Sequence, residues 1–262
     1  MGFMENKNKY QDTYYKSLDM MNNDLDLKQA IKDSKHTYYD TIKLDNLKMN
    51  YKTDVIVLDD EVTNVILKYY DEKTCVLDLS SGLLSNQNNI GCHNSYEDTL
   101  FRSTTLSKCI DNSYCISNFY LNNRNCHSHL LTNRILTITN VILFRNELLD
   151  KYLVKKDWVN IDVVMACSPD LTKSDFKKEL IIDTFKKRIF NIFCAMAKMG
   201  AKTIVLGAYG CGKAENSPSI VSAIFKEVIN MFDGVFNKIV FAIKGTNIEN
   251  TNYDIFKKNL IS

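Results

Sequence analysis

The chain has 262 residues, 45% hydrophobic and 24% charged, with a formal net charge of +2. That near-neutral balance gives no electrostatic case for a nucleic-acid partner or a membrane surface. No apolar run approaches the ~18 residues needed to span a bilayer, and the opening MGFMENKNKYQDTYYK lacks the apolar segment of a secretory leader. Asn6 stands where a myristoylation signal needs Ser or Thr. The eight cysteines form no CxxC pair. In a long chain without a leader they read as free thiols of an intracellular, reducing compartment.

Residues 1–50 are polar and rich in Asn, Asp, Lys and Tyr. Within them LDLKQAIKDSKHTYYDTIK predicts a helix, with Leu27, Ala30, Ile31 and Ser34 at helical spacing. This stretch is set apart as an N-terminal helical extension, 1–50, leaving one domain over 51–262. From there strands and helices alternate. VIVLDD (55–60) predicts a strand, EVTNVILKYYD (61–71) a helix and CVLDLS (75–80) a strand. SYEDTLFRSTTLSKCI (95–110) is helical at least in its first half, and the β-branched RILTITNVILF (134–144) gives a strand or two. IDVVMACSP (161–169) is a buried strand stopped by proline. A long helix follows over 173–199, its apolar face holding Phe176, Leu180, Ile181, Phe185, Ile189, Ile192, Phe193 and Met196, with Gly200 just past its end. KTIVLGA (202–208) is a strand, SPSIVSAIFKEVINMF (217–232) a helix, KIVFAIKG (238–245) the last strand and NYDIFKKNLI (252–261) a terminal helix.

The strands are continuous apolar runs rather than in-out alternations. That pattern belongs to an α/β fold with a mixed, mostly parallel sheet covered by helices on both faces. Ligands in such folds sit beyond the carboxyl ends of the strands.

One such end is TIVLGAYGCGKAENSP, Thr203–Pro218, where three of the nine glycines fall within six positions. Glycines let backbone N–H groups converge, and a following helix N-terminus, marked by Ser217 as N-cap and Pro218 at N1, adds partial positive charge. The loop is neither a Walker loop nor GxGxxG. Two readings stand for it, an anion cradle for a phosphate and a tight turn that uses glycine for positive φ.

The block VLGAYGCGKAENSPSIVSAIFKEVI, followed by GVFNKIVFAI and NYDIFKKNL, resembles the microbial-type poly(ADP-ribose) glycohydrolase family, a branch of the macrodomain fold. That family carries LGAWGCGxxxN, an FKE-type helix and GxFxxVVFAI. Upstream, VVMACSPDL, TNRILTITNVILFRN, EDTLFRSTTL and DLKQAIKDSKHTYYD are similar to further family segments, so the likeness runs from about residue 10 to the end. The resemblance implies a three-layer α/β/α macrodomain-like sandwich that binds ADP-ribose, or poly(ADP-ribose) on modified proteins. It implies no cofactor. In the family this loop wraps the diphosphate and distal ribose, which points to Gly207, Ala208, Tyr209, Gly210, Cys211, Gly212 and Asn216. Tyr209 replaces the family's Trp and keeps an aromatic face for the ribose.

The family's chemistry resides in NFAxAxNPGGGxLxGAxAQEE. The matching stretch here is DLSSGLLSNQNNIGCHNSYED, Asp78–Asp98. The family's Asn-Pro falls on Leu84-Ser85, its glycine turn on Asn86-Gln87-Asn88, its Gln-Glu-Glu on Tyr96-Glu97-Asp98 and its opening Asn on Asp78. The resemblance casts Asp98, seconded by Glu97, as the carboxyl that protonates the leaving ribose oxygen and helps activate water. Aspartate is a methylene shorter than glutamate, and a misplacement of about 1 Å can cost ~100-fold in rate. Tyr96 occupies space expected for substrate. Asp78 either accepts from a ribose hydroxyl or ends its strand in a turn. Three functions therefore compete: a glycohydrolase with a divergent catalytic loop, a reader that binds ADP-ribose without cleaving it, and an interaction module that has lost the ligand.

Other candidates carry less. Cys126, His127 and His129 sit in CHSH with no second cluster, so no metal site is expected. Cys211 has no histidine near in sequence to make it a nucleophile. Lys186-Lys187-Arg188 reads as a solvated helix face, Arg145 as a surface salt bridge ahead of a phosphate contact, and Trp158 as core.

Overall fold

A computed structural model of the chain describes residues 2–43, 49–82, 90–172, 175–245 and 251–261. The expected counterparts of the family's catalytic turn, Leu84-Ser85 and Asn86-Gln87-Asn88, lie outside the described residues, as does the predicted helix start at Lys173.

The strands are β1 (His36–Tyr39), β2 (Asp54–Leu58), β3 (Thr74–Ser80), β4 (Ile135–Leu143), β5 (Arg145–Asn146), β6 (Lys151–Tyr152), β7 (Val159–Cys167), β8 (Thr203–Leu206) and β9 (Lys238–Ala242). Seven of them form one sheet in the order β1-β4-β7-β3-β8-β9-β2, and β5 and β6 make a separate hairpin. The run β7-β3-β8-β9-β2 is parallel throughout, while β4 is antiparallel to both β7 and β1. The carboxyl ends of β7, β3 and β8 therefore lie side by side, with the amino end of β4 next to β7.

Burial on both faces explains the continuous apolar strands. Cys75, Leu77, Ile204, Leu206, Ile239 and Phe241 face a core shared with α8 (Lys178–Lys198), α9 (Pro218–Met231) and α10 (Asn252–Ile261). The alternate residues Val76, Val205 and Val240 face a second core under α3 (Val62–Tyr69), α4 (Tyr96–Ser103) and α5 (Leu106–Cys109). This is the three-layer α/β/α sandwich. Two short turns of helix, α6 (Ser113–Cys115) and α7 (Leu121–Arg124), flank a π-helical turn at Ile116–Tyr120 on the α4 side.

The structure departs from the sequence reading in several places. The polar N-terminus forms a 22-residue helix, α1 (Gly2–Asn23), followed by the predicted one, α2 (Leu25–Asp33). Tyr14, Ser17 and Met21 supply the inward face of α1. Strand β1 pairs with β4, so the main sheet begins before residue 50. Strand β4 is one strand with a bulge, where Asn140 takes φ +64° and its Nδ2 donates to the Ala30 carbonyl at 3.0 Å. Helix α8 starts at Lys178, after an extended Lys177, and its first buried residue is Thr184. Leu180, expected on the apolar face, is therefore exposed.

Two charge assignments also change. Arg188 is buried, because the α8 face that carries Thr184, Arg188 and Asn191 turns toward the end of β7. Arg145 is buried too, paired with Glu147 and Asp150. Trp158 packs edge-on to Phe144 and donates from Nε1 to the Leu153 carbonyl. No described helix is long and apolar enough to cross a membrane.

Candidate functional site

The site is built on the carboxyl end of β3 and the first turn of α4. Side chains two apart on a strand share a face, so Asp78 and Ser80 both point toward α4. Ser95 caps that helix by accepting from the Asp98 amide at 3.1 Å. Three consecutive residues, Tyr96, Glu97 and Asp98, then fan out from the first turn with different roles.

Asp98 is tied down. Its Oδ1 accepts from the Gly91 amide at 2.7 Å, and its Oδ2 accepts from the Ser95 hydroxyl at 2.6 Å with His93 Nδ1 3.3 Å away. Arg102, fully buried behind it, donates to the carbonyls of Gly91 and His93 at 2.6 and 2.7 Å and to Glu147 at 2.8 Å. Together Asp98 and Arg102 clamp the segment entering α4.

Glu97 is the carboxyl held at the strand end. Ser80 Oγ donates to its Oε1 at 2.9 Å, and the Ser81 amide lies 3.3 and 3.2 Å from its two oxygens. Burial nevertheless pushes its carboxyl up to about 7, against the pull of those serine hydrogen bonds. Asp78 is fully buried inside β3, opposite Met165 of β7, so it does not end the strand in a turn. Neither of its oxygens has a hydrogen-bond partner among the described residues. Burial, then the nearby Glu97 and Asp98 charges, raise its carboxyl well above the usual range. The Tyr96 hydroxyl is also buried without a partner among the described residues, and burial followed by the Asp78 charge raises it.

The glycine loop after β8 faces this group across Tyr96. The three glycines serve different ends. A Cβ on Gly207 would lie 2.9 Å from Leu79 Cδ1 and 3.0 Å from Tyr96 Cε2. Gly210 takes φ +76°, and a Cβ there would stand 2.7 Å from Ser168 Cβ. At Gly212 a Cβ would meet nothing within 4 Å. The close approaches at Gly207 and Gly210 are thus made by the protein's own side chains, and only Gly212 borders open space.

Within the loop, the amides of Tyr209, Cys211, Glu215 and Asn216 donate to the carbonyls of Gly207, Ala208, Gly212 and Gly210. The amides of Gly210 and Gly212 have no protein acceptor among the described residues. Ser217 is the N-cap of α9 and Pro218 its N1 residue, but the Ser217 side chain makes no capping bond. Unengaged amides beside an uncapped helix start are the kind of groups that can receive an anion. The Asn216 side chain is buried, with Nδ2 donating to the carbonyls of Pro169, Gly210 and Ala214 at 2.7, 2.9 and 3.2 Å. Its Oδ1 has no partner among the described residues. Ala208 is half-buried.

Tyr209 corrects an expectation. Its ring is fully buried, edge-on to Phe185, and its hydroxyl donates to the Cys167 carbonyl. The aromatic face expected for a ribose is turned into the core, and its amide is already engaged by the Gly207 carbonyl. Burial pushes the Cys211 thiol up to about 12, which keeps it from acting as a thiolate near neutral pH.

The rim is laced by residues that the sequence reading missed. Arg188 donates to the carbonyls of Cys167 at 2.8 Å and Leu131 at 2.9 Å, to Leu130, and to Asn133 Oδ1 at 2.9 Å. It thereby holds Leu131 in a left-handed conformation, φ +60°, that a branched aliphatic residue seldom adopts. The Asp170 amide reaches the His129 carbonyl and the Leu171 amide the Ala214 carbonyl. The helical phase of Thr184, Arg188 and Asn191 was the available signal, but a KKR run masked it. Cys126, His127 and His129 lie in this rim, and no group of three or more metal-ligating side chains occurs among the described residues.

No family model and no curated protein matches the chain. Solved structures do. Poly(ADP-ribose) glycohydrolase from Thermomonospora curvata, bound to the inhibitor ADP-HPD, superposes with a TM-score of 0.79 at 16% identity, over 96% of this chain and 99% of that one. The enzyme from Deinococcus radiodurans in complex with ADP-ribose gives 0.74 at 20% identity over 90% of each chain, and its apo form 0.71 at 20% over 90% and 88%. At these identities what is shared is the fold, and it extends over nearly the whole chain.

Proposed function

We propose that this chain binds ADP-ribose with its diphosphate on the Gly207–Asn216 loop and hydrolyses the ADP-ribose glycosidic bond through Glu97. The observation that carries the reading is the position of Glu97, a carboxyl with a pKa near neutrality, across Tyr96 from a loop whose Gly210 and Gly212 amides have no acceptor among the described residues. The ligands in the structural neighbours agree with it: ADP-ribose in one and ADP-HPD in the other.

In this mechanism protonated Glu97 gives its proton to the oxygen leaving C1 of the ribose as the C1–O bond breaks. The positive charge left on the ribose ring is met by water. The Glu97 carboxylate takes a proton from that water as its oxygen bonds to C1, which restores the acid. Asp98 positions the segment through Gly91 and Ser95. Poly(ADP-ribose) on modified proteins is the proposed substrate, and eight free cysteines suit an intracellular, reducing compartment.

A second reading, an ADP-ribose reader without turnover, is favoured by one observation: both Asp98 oxygens are engaged by the helix cap and Gly91. Calorimetry with ADP-ribose, together with release of ADP-ribose from poly(ADP-ribose), separates the two. Binding with turnover that Glu97→Gln abolishes supports hydrolysis. Binding without turnover establishes the reader, and absence of binding removes both.

A further inference from the structure

Helix α1 packs on the segment that carries the acids. Its residues Tyr10, Tyr14 and Ser17 follow one another at spacings of four and three, so they share one face of the helix. All three meet α4 or the turn before it.

Gly91 is the first point of contact. It takes φ +72°, and a Cβ there would stand 2.7 Å from Tyr14 Cδ2 and 2.8 Å from Tyr14 Cγ. Its polar atoms belong to α4: the amide donates to Asp98 Oδ1 at 2.7 Å, and the carbonyl accepts from Arg102 Nη1 at 2.6 Å. Asp98 and Arg102 are four residues apart and share a face of α4. Gly91 is thus fixed by α4 through its backbone polar groups and by α1 through its Cα.

Arg102 is the second point. Nη1 also donates to the His93 carbonyl at 2.7 Å, and Nη2 to Thr99 Oγ1 at 3.3 Å and Glu147 Oε1 at 2.8 Å. Nε is buried with no partner among the described residues. The Tyr10 ring covers the guanidinium, with Arg102 Cζ 4.3 Å from the ring centroid. The negative face of the ring offsets part of the hydration that this buried cation has lost. At the backbone of the same residue, Ser17 Oγ donates to the Arg102 carbonyl at 2.6 Å. That carbonyl lies in the last turn of α4, where a helix leaves its acceptors unpaired. Helix α1 therefore grips Arg102 by both side chain and main chain.

Glu97 rides on the same turn as Asp98 but points to Ser80 and Ser81. Its aim toward the strand end depends on how α4 is seated, and α1 is a wall of that seat. A displacement of about 1 Å can cost on the order of 100-fold in rate.

We infer that α1 is a working part of the site, with Tyr10 and Tyr14 as positioning residues that seat α4 and so aim Glu97. The inference rests on the proposed function and extends its site to the N-terminal helix.

The test measures ADP-ribose release from poly(ADP-ribose), and calorimetric affinity for ADP-ribose, in Tyr10→Leu and Tyr14→Leu and in the ring-keeping Tyr10→Phe and Tyr14→Phe. Leucine keeps apolar cover and removes the ring. The expected result is a kcat lowered about tenfold in each leucine variant and restored in each phenylalanine variant. KM and ADP-ribose affinity, which reports the glycine loop and correct folding, are expected to stay unchanged. Unchanged kcat in one leucine variant removes that residue from the role, and in both it overturns the inference. Loss of kcat and affinity together assigns the rings to the fold alone and also overturns it, as does a loss that persists with phenylalanine. Failure of the proposed function shows separately, in the unsubstituted chain: ADP-ribose binding without release, or no binding, overturns hydrolysis and this inference with it.

Discussion

The ring of Tyr96 lies against the backbone of Gly207, with Cε2 3.0 Å from the point where a side chain would begin. This contact joins the first turn of α4, which carries the acids, to the loop after β8, where the Gly210 and Gly212 amides have no acceptor among the described residues. It makes one site of two segments more than a hundred residues apart in the chain.

Gly207→Ala is expected to lower stability by about 1–3 kcal/mol, because the added methyl meets Leu79 and a ring that has little room to turn. Tyr96→Leu in the same chain is expected to recover part of the loss. Thermal unfolding of the single and double variants checks this, and no recovery would mean that the ring is not the obstacle.

Asp78→Asn is expected to stabilise the protein. Burial and the nearby Glu97 and Asp98 charges penalise the charged form of Asp78, a cost that the uncharged carboxamide avoids. The folded-state pKa is raised, so the stabilising effect of protonation is complete below the ordinary carboxylate range and is lost as pH rises. Glu97 acts in the same sense, its contribution fading as pH rises through about 7. Melting temperature is therefore expected to fall as pH rises from about 4.5 to about 7, and less so in Asp78→Asn. An unchanged pH dependence in the variant would place the titration elsewhere.

Hydrolysis by Glu97 requires the protonated carboxyl. Above about 7 the rate of ADP-ribose release is expected to fall, about tenfold per pH unit. Asp98→Asn is expected to reduce the rate by loosening Gly91 and Ser95 while leaving the position of that pH limb in place. A limb that moves in Asp98→Asn would make Asp98 the proton donor.

Arg188→Ala is expected to destabilise the chain by about 3–5 kcal/mol, since it strips the rim carbonyls of Cys167, Leu130 and Leu131 of a buried cation's donors. Arg188→Lys is expected to restore only part of this, because a single ammonium cannot reproduce a planar fork of donors. Denaturant titration of both variants measures the difference.

Much of this molecule was legible in its residues. Apolar runs, Ser217-Pro218 and Gly200 are local signals, and they set strands, helices and helix ends within a few residues. The α1 helix escaped because its Asn-rich sequence lacks a strong apolar stripe, and Tyr14, Ser17 and Met21 find their partners only after folding. Strand β1 escaped because HTYY is four residues long and only partly buried at the sheet edge.

The sequence by itself determined the layered α/β/α order and the location of a glycine loop at a strand end, because backbone periodicity and turn geometry are decided by near neighbours. Tertiary structure alone decided which carboxyl is tied down and which stands near neutrality, that Tyr209 faces inward, and that Arg188 is buried. Those properties depend on solvent exclusion and on partners distant in the chain. Ser80 and Glu97 are 17 positions apart, Arg188 and Leu130 58, and no local pattern records such distances.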